Sequence, residues 1–231
     1  MSPAHPQADE GLAERLHGVQ AQVAEAAREA GRAPGDITTI VVTKFHPASL
    51  VRELASLGLT DFGENRLQDA GPKATELAQL DLTWHFIGQL QSNKVRAVLE
   101  FARVIHSIDR ESLVRALDTT GESVEVFLQL NLTDDPGRGG VQPSELRGLA
   151  ERVMGNSRLR LLGLMAVAPL DEEPRRAFER VRTASESLRA IAPDAVSLSM
   201  GMSGDFREAI LEGATHLRIG TAITGNRPDR G

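Results

Sequence analysis

Residues 37–58 read ITTIVVTKFHPASLVRELASLG, and the change of period inside them decides the fold. Ile37 to Thr43 are rich in β-branched side chains and read as a buried strand. After Pro47, the apolar residues Leu50, Val51, Leu54 and Leu57 step by three and four. That spacing places them on one face of a helix, which Gly58 stops. Upstream, Leu12, Leu16, Val19, Val23, Ala26 and Ala30 form another amphipathic helix, closed by Gly31. Downstream the strand-helix alternation repeats to the end. Strands are expected at 60–62, 83–87, 103–108, 124–131, 160–165, 196–199 and 216–219, and each but the last precedes a helix-sized segment. Eight βα steps within 231 residues predict an α/β fold, a single (β/α)8 TIM barrel. The extra N-terminal helix would stand where an eighth outer helix belongs. A doubly wound open sheet is the other architecture the alternation allows. No Pro/Gly/Ser-rich linker divides the chain, so one domain is expected over 1–231, with 1–9 flexible and 226–231 a tail.

Composition narrows the function classes. Hydrophobic residues at 41% and charged residues at 25% describe a globular chain, and a net charge of -6 without a basic block argues against nucleic acid. Cysteine is absent, which removes disulfides, thiolate metal sites and cysteine nucleophiles. The opening MSPAHPQADEG lacks the basic-then-apolar pattern of a signal peptide, and no apolar run approaches the roughly 20 residues of a membrane span. These features lead us to expect a cytoplasmic monomer with no membrane and no metal.

In a βα barrel, function gathers where strands end. Lys44, Asn65, Ser107, Asp109, Asn131, Ser199, Ser203, Arg218 and Thr221 all fall just at or beyond such ends. Val42 and Ile40 precede Lys44 by two and four residues, so its amine is expected over the mouth on an apolar floor. Desolvation there would favour the neutral, nucleophilic amine; the plainer alternative is a surface lysine. The small residues of SMGMSGD (199–205) and Gly220-Thr221 follow strands seven and eight, where barrels of this class often seat phosphate. Ser203 could equally be an N-cap. Arg218, inside a strand, requires a partner: a ligand, or an ion pair with Glu64 or Asp109. Trp84 reads as core. The loop TDDPGRGG (133–140) follows a strand directly and is expected at the rim. Dinucleotide, P-loop, hydrolase-elbow and zinc-helix motifs are missing. A phosphate-bearing aldehyde satisfies the lysine, the cradle and the arginine together; pyridoxal 5'-phosphate (PLP) and the sugar phosphates of lysine aldolases both qualify.

The strings VVTKFHP (41–47), FGENRLQD (62–69), WHFIGQLQSNK (84–94), HSID (106–109), GLMAVAP (163–169), LSMGMSGDFREAI (198–210) and RIGTAITG (218–225) resemble the pyridoxal-phosphate homeostasis family. Those proteins are single-domain relatives of the alanine racemase barrel, fold type III, and the resemblance covers about residues 10–225. It implies that Lys44 holds PLP as a covalent imine. It also implies that Arg218 faces the pyridine nitrogen, that Ser199, Ser203, Gly220 and Thr221 surround the phosphate, and that Met200 and Asn65 line the ring. Asn65 could instead be an N-cap. Members commonly carry other residues at Phe45 and Gln89, which touches only the rim. An arginine opposite the ring nitrogen makes PLP a poor electron sink. Racemases of this fold use a tyrosine as second base and continue into a second, β-rich domain; this chain contains no tyrosine. The family reading is therefore a protein without robust catalysis that controls the free level of PLP or its delivery to PLP-requiring apoenzymes. A weak PLP-dependent racemase is the alternative.

Overall fold

The computed structural model describes residues 10–118 and 123–226. The segments expected to be a flexible start, 1–9, and most of the tail, 227–231, lie outside the described residues. Eight parallel strands close into a barrel in sequence order: β1 (Thr38–Val42), β2 (Asp61–Glu64), β3 (Thr83–Phe86), β4 (Ala102–Ile108), β5 (Val124–Gln129), β6 (Leu159–Met165), β7 (Ser197–Ser199) and β8 (His216–Ile219). Closure runs through β1 and β8, in the register Thr38↔His216 to Val41↔Ile219. The barrel, and not the open sheet, is the fold.

Nine helices lie outside it among the described residues: α1 (Glu10–Glu29), α2 (Ala48–Ser56), α3 (Leu67–Glu76), α4 (Val95–Leu99), α5 (Glu111–Asp118), α6 (Leu146–Met154), α7 (Pro174–Arg189), α8 (Phe206–Leu211) and α9 (Thr221–Thr224). The predicted stripe of α1 is buried at Leu12, Leu16, Val19, Val23 and Ala26. Burying each such side chain is worth about 1.5–3 kcal/mol, so this helix is bound to the body and is not an appendage. It packs against α8 and α9, and Arg15 Nε donates to the carbonyl of Ile223 at 2.8 Å. The last strand, expected to lack a helix, is followed by the single turn α9, so two elements share the eighth outer position.

Strand alternation sorts the core into two layers. Outward residues Val41, Phe62, Trp84, Phe86, Ile105, Val126, Leu128, Leu164, Leu198 and Leu217 join the helices in the main apolar cluster. Trp84 is core, 6.0 Å from Phe62 and 6.5 Å from Phe101 between ring centres. Inside the barrel the apolar cluster is small: Val104, Phe127, Met165 and the partly buried Leu162. The rest of the interior is largely polar. Gly163 marks the tightest strand contact, since a Cβ there would lie 1.9 Å from the carbonyl oxygen of Ser197. Only glycine lets β7 lie that close to β6.

Candidate functional site

The turn after β1 carries Lys44, which is half-buried, and its amine forms no hydrogen bond or ion pair with any described residue. Ile40 and Val42 are buried on the same strand face. Ile40 Cγ2 lies 3.0 Å from where a Cβ on Gly63 would sit, and the Val42 Cβ lies 3.6 Å from the corresponding point on Gly220. The apolar floor expected beneath the lysine is therefore present, shared by β1, β2 and the end of β8. Phe45, next in sequence, has φ of 70°, the only non-glycine residue in the left-handed region among those described. Such a conformation costs on the order of 1 kcal/mol and persists where its surroundings enforce it. Here the Arg66 guanidinium stands 5.3 Å over the Phe45 ring.

Beneath that turn, Lys73 of α3 donates to Glu64 Oε1 and, at 2.9 Å, to the carbonyl of Thr43. The Thr43 hydroxyl also donates to Glu64 Oε1 at 2.7 Å. Thr43 precedes Lys44 and Glu64 precedes Asn65, so this buried ion pair ties together the two strand ends that carry both site residues. Glu64 is thus committed to Lys73 and does not pair with Arg218. Asp109 is likewise elsewhere, 2.6 Å from Arg110 Nη1, with Oδ2 accepting the Gly140 amide at 3.4 Å. Of the two kinds of partner offered for Arg218, the ion pair with Glu64 or Asp109 is not formed.

Arg218 is buried inside the barrel, donating through Nη1 to Ser199 Oγ and through Nη2 to the Ala166 carbonyl, each at 2.8 Å. Burial lowers its pKa to about 10, with Asp205 acting in the opposite direction, so it stays cationic at neutral pH. Ser199 Oγ also lies 2.8 Å from His106 Nδ1. The resemblance placed this serine at the phosphate; the structure commits its hydroxyl to the arginine and a histidine. Met200 is fully buried in the main apolar cluster, backing its loop from behind and not facing an open ring site.

The loops after β7 and β8 do meet. Ala222 N donates to Ser203 Oγ at 3.3 Å, and Met202 N to Asp205 Oδ1 at 2.6 Å. Asp205, not Ser203, occupies the N-cap position of α8. The amides of Ser203, Gly204 and Thr221 donate to no acceptor among the described residues. Gly220, at the N-cap of α9, has only Val42 within 4 Å of a notional Cβ. Asn65 is not the N-cap of α3; Arg66 holds that place, and Asn65 Oδ1 is buried without a hydrogen-bond partner. An unpartnered amine, an orphaned amide oxygen, uncommitted loop amides and an interior guanidinium fit a compact ligand carrying a carbonyl and an anionic group.

Cavities of about 240 Å³ and 170 Å³ shoulder this mouth, the first bounded by Asn65, Arg66, Gln89 and Lys94, the second by Asn131, Arg138 and Val167. The 133–140 loop lies at the rim as expected. Asn131 Oδ1 accepts the Thr133 amide at 2.8 Å, and a Cβ on Gly139 would touch Gln89 Nε2. Two features escaped sequence reasoning: the Glu64–Lys73 pair, and a file of polar side chains from His106 through His85 to Asp61 inside the barrel. Counting by two along β3, β4 and β8 puts His85, His106 and His216 on the inward face, a signal available without coordinates. Among the described residues no cluster of His, Asp and Glu could hold a metal ion, and no helix is long and apolar enough to cross a membrane.

The chain matches the alanine racemase N-terminal domain family over residues 16–228. It is similar to the pyridoxal phosphate homeostasis protein of Pseudomonas aeruginosa, with 43% identity over 94% of this chain and 96% of that one. Among solved structures it is similar to PipY of Synechococcus elongatus with PLP bound, at a TM-score of 0.83 and 38% identity, covering 93% of this chain and all of that one (100%). The fold alone is shared with alanine racemase of Corynebacterium glutamicum, at a TM-score of 0.70 and 16% identity. That overlap covers 95% of this chain and 62% of the racemase.

Proposed function

We propose that this chain, which belongs to the pyridoxal phosphate homeostasis protein family and so to the alanine racemase N-terminal domain family, holds PLP at its barrel mouth and controls the free level or delivery of the cofactor. The observation that carries the reading is the Lys44 amine, uncommitted to any described residue, set over Ile40 and Val42 at the mouth whose interior holds Arg218. PLP supplies an aldehyde. Lys44 would hold it through a reversible C=N bond, formed with loss of water. Arg218 donates a hydrogen bond toward the ring nitrogen, which an arginine can do only if that nitrogen is an unprotonated acceptor. Ser203, Gly220, Thr221 and the adjacent loop amides receive the phosphate, and Asn65 borders the polar edge of the ring. Ser199 serves the ring nitrogen indirectly, by holding Arg218.

The whole chain acts as one ligand-binding barrel, a cytoplasmic monomer that hands PLP to apoenzymes and so affects amino-acid metabolism. An unprotonated ring nitrogen withdraws electrons poorly, and the chain has no tyrosine to act as second base, so turnover of amino acids is not its task. The relatives are named for homeostasis and not for a reaction, which supports the same view.

Borohydride reduction of the protein with PLP, followed by peptide mapping, tests the reading. Stable label is expected on the Lys44 peptide and is lost in Lys44→Ala. Label elsewhere, or none above a denatured control, would remove PLP from this site. Exchange of the α-hydrogen of alanine in deuterated water tests the absence of turnover, and incorporation that vanishes in Lys44→Ala would make the protein an enzyme.

A further inference from the structure

The barrel interior contains a continuous polar chain that the reading above does not use. Asp61 Oδ1, at the lower end of β2, lies 3.0 Å from His85 Nε2 on β3. His85 Nδ1 lies 2.9 Å from His106 Nε2 on β4, and His106 Nδ1 lies 2.8 Å from Ser199 Oγ on β7. Ser199 in turn accepts from Arg218 Nη1 on β8 at 2.8 Å. Five strands thus contribute one group each to a line that runs from the far end of the barrel up to the guanidinium.

Proton counting gives this line a direction. Arginine only donates, so Ser199 accepts from it; at the other end an ionised Asp61 only accepts, and with one hydrogen on each imidazole the line is consistent when Ser199 sends its own proton to His106 Nδ1. His106 then carries its hydrogen on Nε2 and donates to His85 Nδ1. His85 carries its hydrogen on Nε2 and donates to Asp61. Ser199, His106 and His85 each make one donation and one acceptance, and the chain ends on a carboxylate. Reversing any single link would set two hydrogens or two lone pairs face to face in a buried site.

The surrounding charges favour the same arrangement. Burial, then His85, Arg218 and His216, hold His106 well below its ordinary pKa, so it stays neutral. Hydrogen bonds from His85 and Thr60 outweigh burial and keep Asp61 below the usual carboxylate range. Asp205 is the acidic group that acts on Arg218 from the mouth side. Phe127 stacks on His106 at 4.5 Å between ring centres and 25° between planes, which blocks rotation of the imidazole.

We propose that Ser199, His106, His85 and Asp61 are positioning residues for Arg218, forming a one-way hydrogen-bond chain that holds the guanidinium as a donor toward the ring nitrogen of PLP. This rests on the PLP reading and deepens it. The chain lets Arg218 remain a buried cation with no carboxylate hydrogen-bonded to it, its counter-charge Asp61 being reached through three intervening groups. It also fixes the guanidinium plane, because Ser199 can accept from Nη1 only while its own proton has an acceptor in His106. Removing that acceptor frees the serine hydroxyl to turn, loosens the guanidinium and allows the ring nitrogen to take up a proton.

The test is the visible spectrum of the PLP-loaded protein as a function of pH, with the PLP dissociation constant measured in parallel. His106→Phe keeps an aromatic ring against Phe127 and removes both links. It is expected to weaken PLP binding by about tenfold, the loss of one charge-assisted hydrogen bond. It should also move the pH at which the bound chromophore titrates by about one unit. His106→Asn, which can still accept from Ser199, should return part of the wild-type profile. Asp61→Asn, remote from the ligand, should shift the titration in the same direction with a smaller change in affinity. If His106→Phe does not fold, Ser199→Ala cuts the same chain one link nearer the arginine. A chromophore in the unmodified protein whose titration and affinity are unchanged in a folded His106→Phe or Ser199→Ala variant overturns the chain's role alone. No chromophore in the unmodified protein overturns the ligand assignment and this inference with it.

Discussion

Lys73→Met should cost more than any surface substitution, and the structure sets the scale. The Lys73 side chain is 6% exposed and that of its partner Glu64 0%. Lys73 donates to the Glu64 carboxylate and to the Thr43 carbonyl, while Glu64 Oε2 already lacks a hydrogen-bond partner. Methionine fills a similar volume but leaves a buried carboxylate whose sole remaining donor is the Thr43 hydroxyl. Removing one partner of a buried pair costs about 3–5 kcal/mol. Removing both, as in Lys73→Met with Glu64→Leu, takes away the stranded charge and should cost at least about 2 kcal/mol less than the sum of the single changes. Urea unfolding followed by the fluorescence of Trp84, the only tryptophan in the chain, and by far-ultraviolet circular dichroism measures both. Coincident transitions justify a two-state treatment. The double-mutant cycle then separates coupling from lost packing. A single Lys73→Met cost below about 1 kcal/mol, or singles that simply add, would show that the pair contributes little. Because the pair joins the ends of β1 and β2, borohydride labelling of Lys44 in folded Lys73→Met should also slow.

Three further outcomes follow from individual contacts. Burial, opposed by Asp61 and assisted by His85 and Arg218, takes His216 from 6.5 to about 4. Between those values the unfolded chain binds the proton that the folded one refuses. Stability is therefore unaffected at neutral pH and falls as pH drops from about 6.5 to about 4, by up to about 3 kcal/mol. His216→Gln should flatten the dependence of the urea midpoint on pH in that window, and an unchanged slope would contradict the assignment. Gly163→Ala puts a Cβ 1.9 Å from the Ser197 carbonyl, so β7 must move; a loss beyond about 3 kcal/mol by thermal melting is expected, and a melting temperature equal to wild type would show that the strands can separate at no cost. Asn131→Ala removes an acceptor for the Thr133 amide and hydroxyl and a donor to the Asp135 carbonyl. It should cost about 1–3 kcal/mol and speed limited proteolysis within 133–140, whereas unaltered cleavage would show the loop is held by other contacts.

Periodicity made the barrel legible because its two layers have different needs. Outward residues such as Val41, Phe62 and Leu217 must face helices, so they recur every second position, and the helices answer with stripes such as Leu12, Leu16, Val19 and Val23. The one-turn α9 was not legible, since four residues carry no period. Lys44 and Arg218 were legible at the site because a charged residue at or within a barrel strand end breaks an apolar pattern. Ser199 and Met200 were harder: they belong to one small-residue run, and only coordinates separate the inward serine from the buried methionine. The true partner of Glu64 was not legible, because Lys73 sits nine residues on, in a helix, and pairs with it across the outside of the barrel.

The polar interior bears on function more than on stability. A barrel of this size can be filled with Val, Ile and Leu, and apolar filling would avoid the desolvation that Arg218, His106 and Asp61 incur. Here the inward apolar residues are Ile40, Val42 and the cluster of Val104, Phe127, Met165 and Leu162, and polar side chains share the interior with them. Ser199, His106 and His85 are each bonded to both neighbours in the line, so exchanging one of them leaves a hydrogen-bond group of the next without its partner. Retaining a donor at the mouth therefore requires the whole file beneath it. If the mouth needed only positive charge, a lysine able to reach solvent would serve at less cost in desolvation. What the buried file adds is direction: a guanidinium whose Nη1 and Nη2 are held by Ser199 and the Ala166 carbonyl. That direction suits the reversible holding of PLP proposed above.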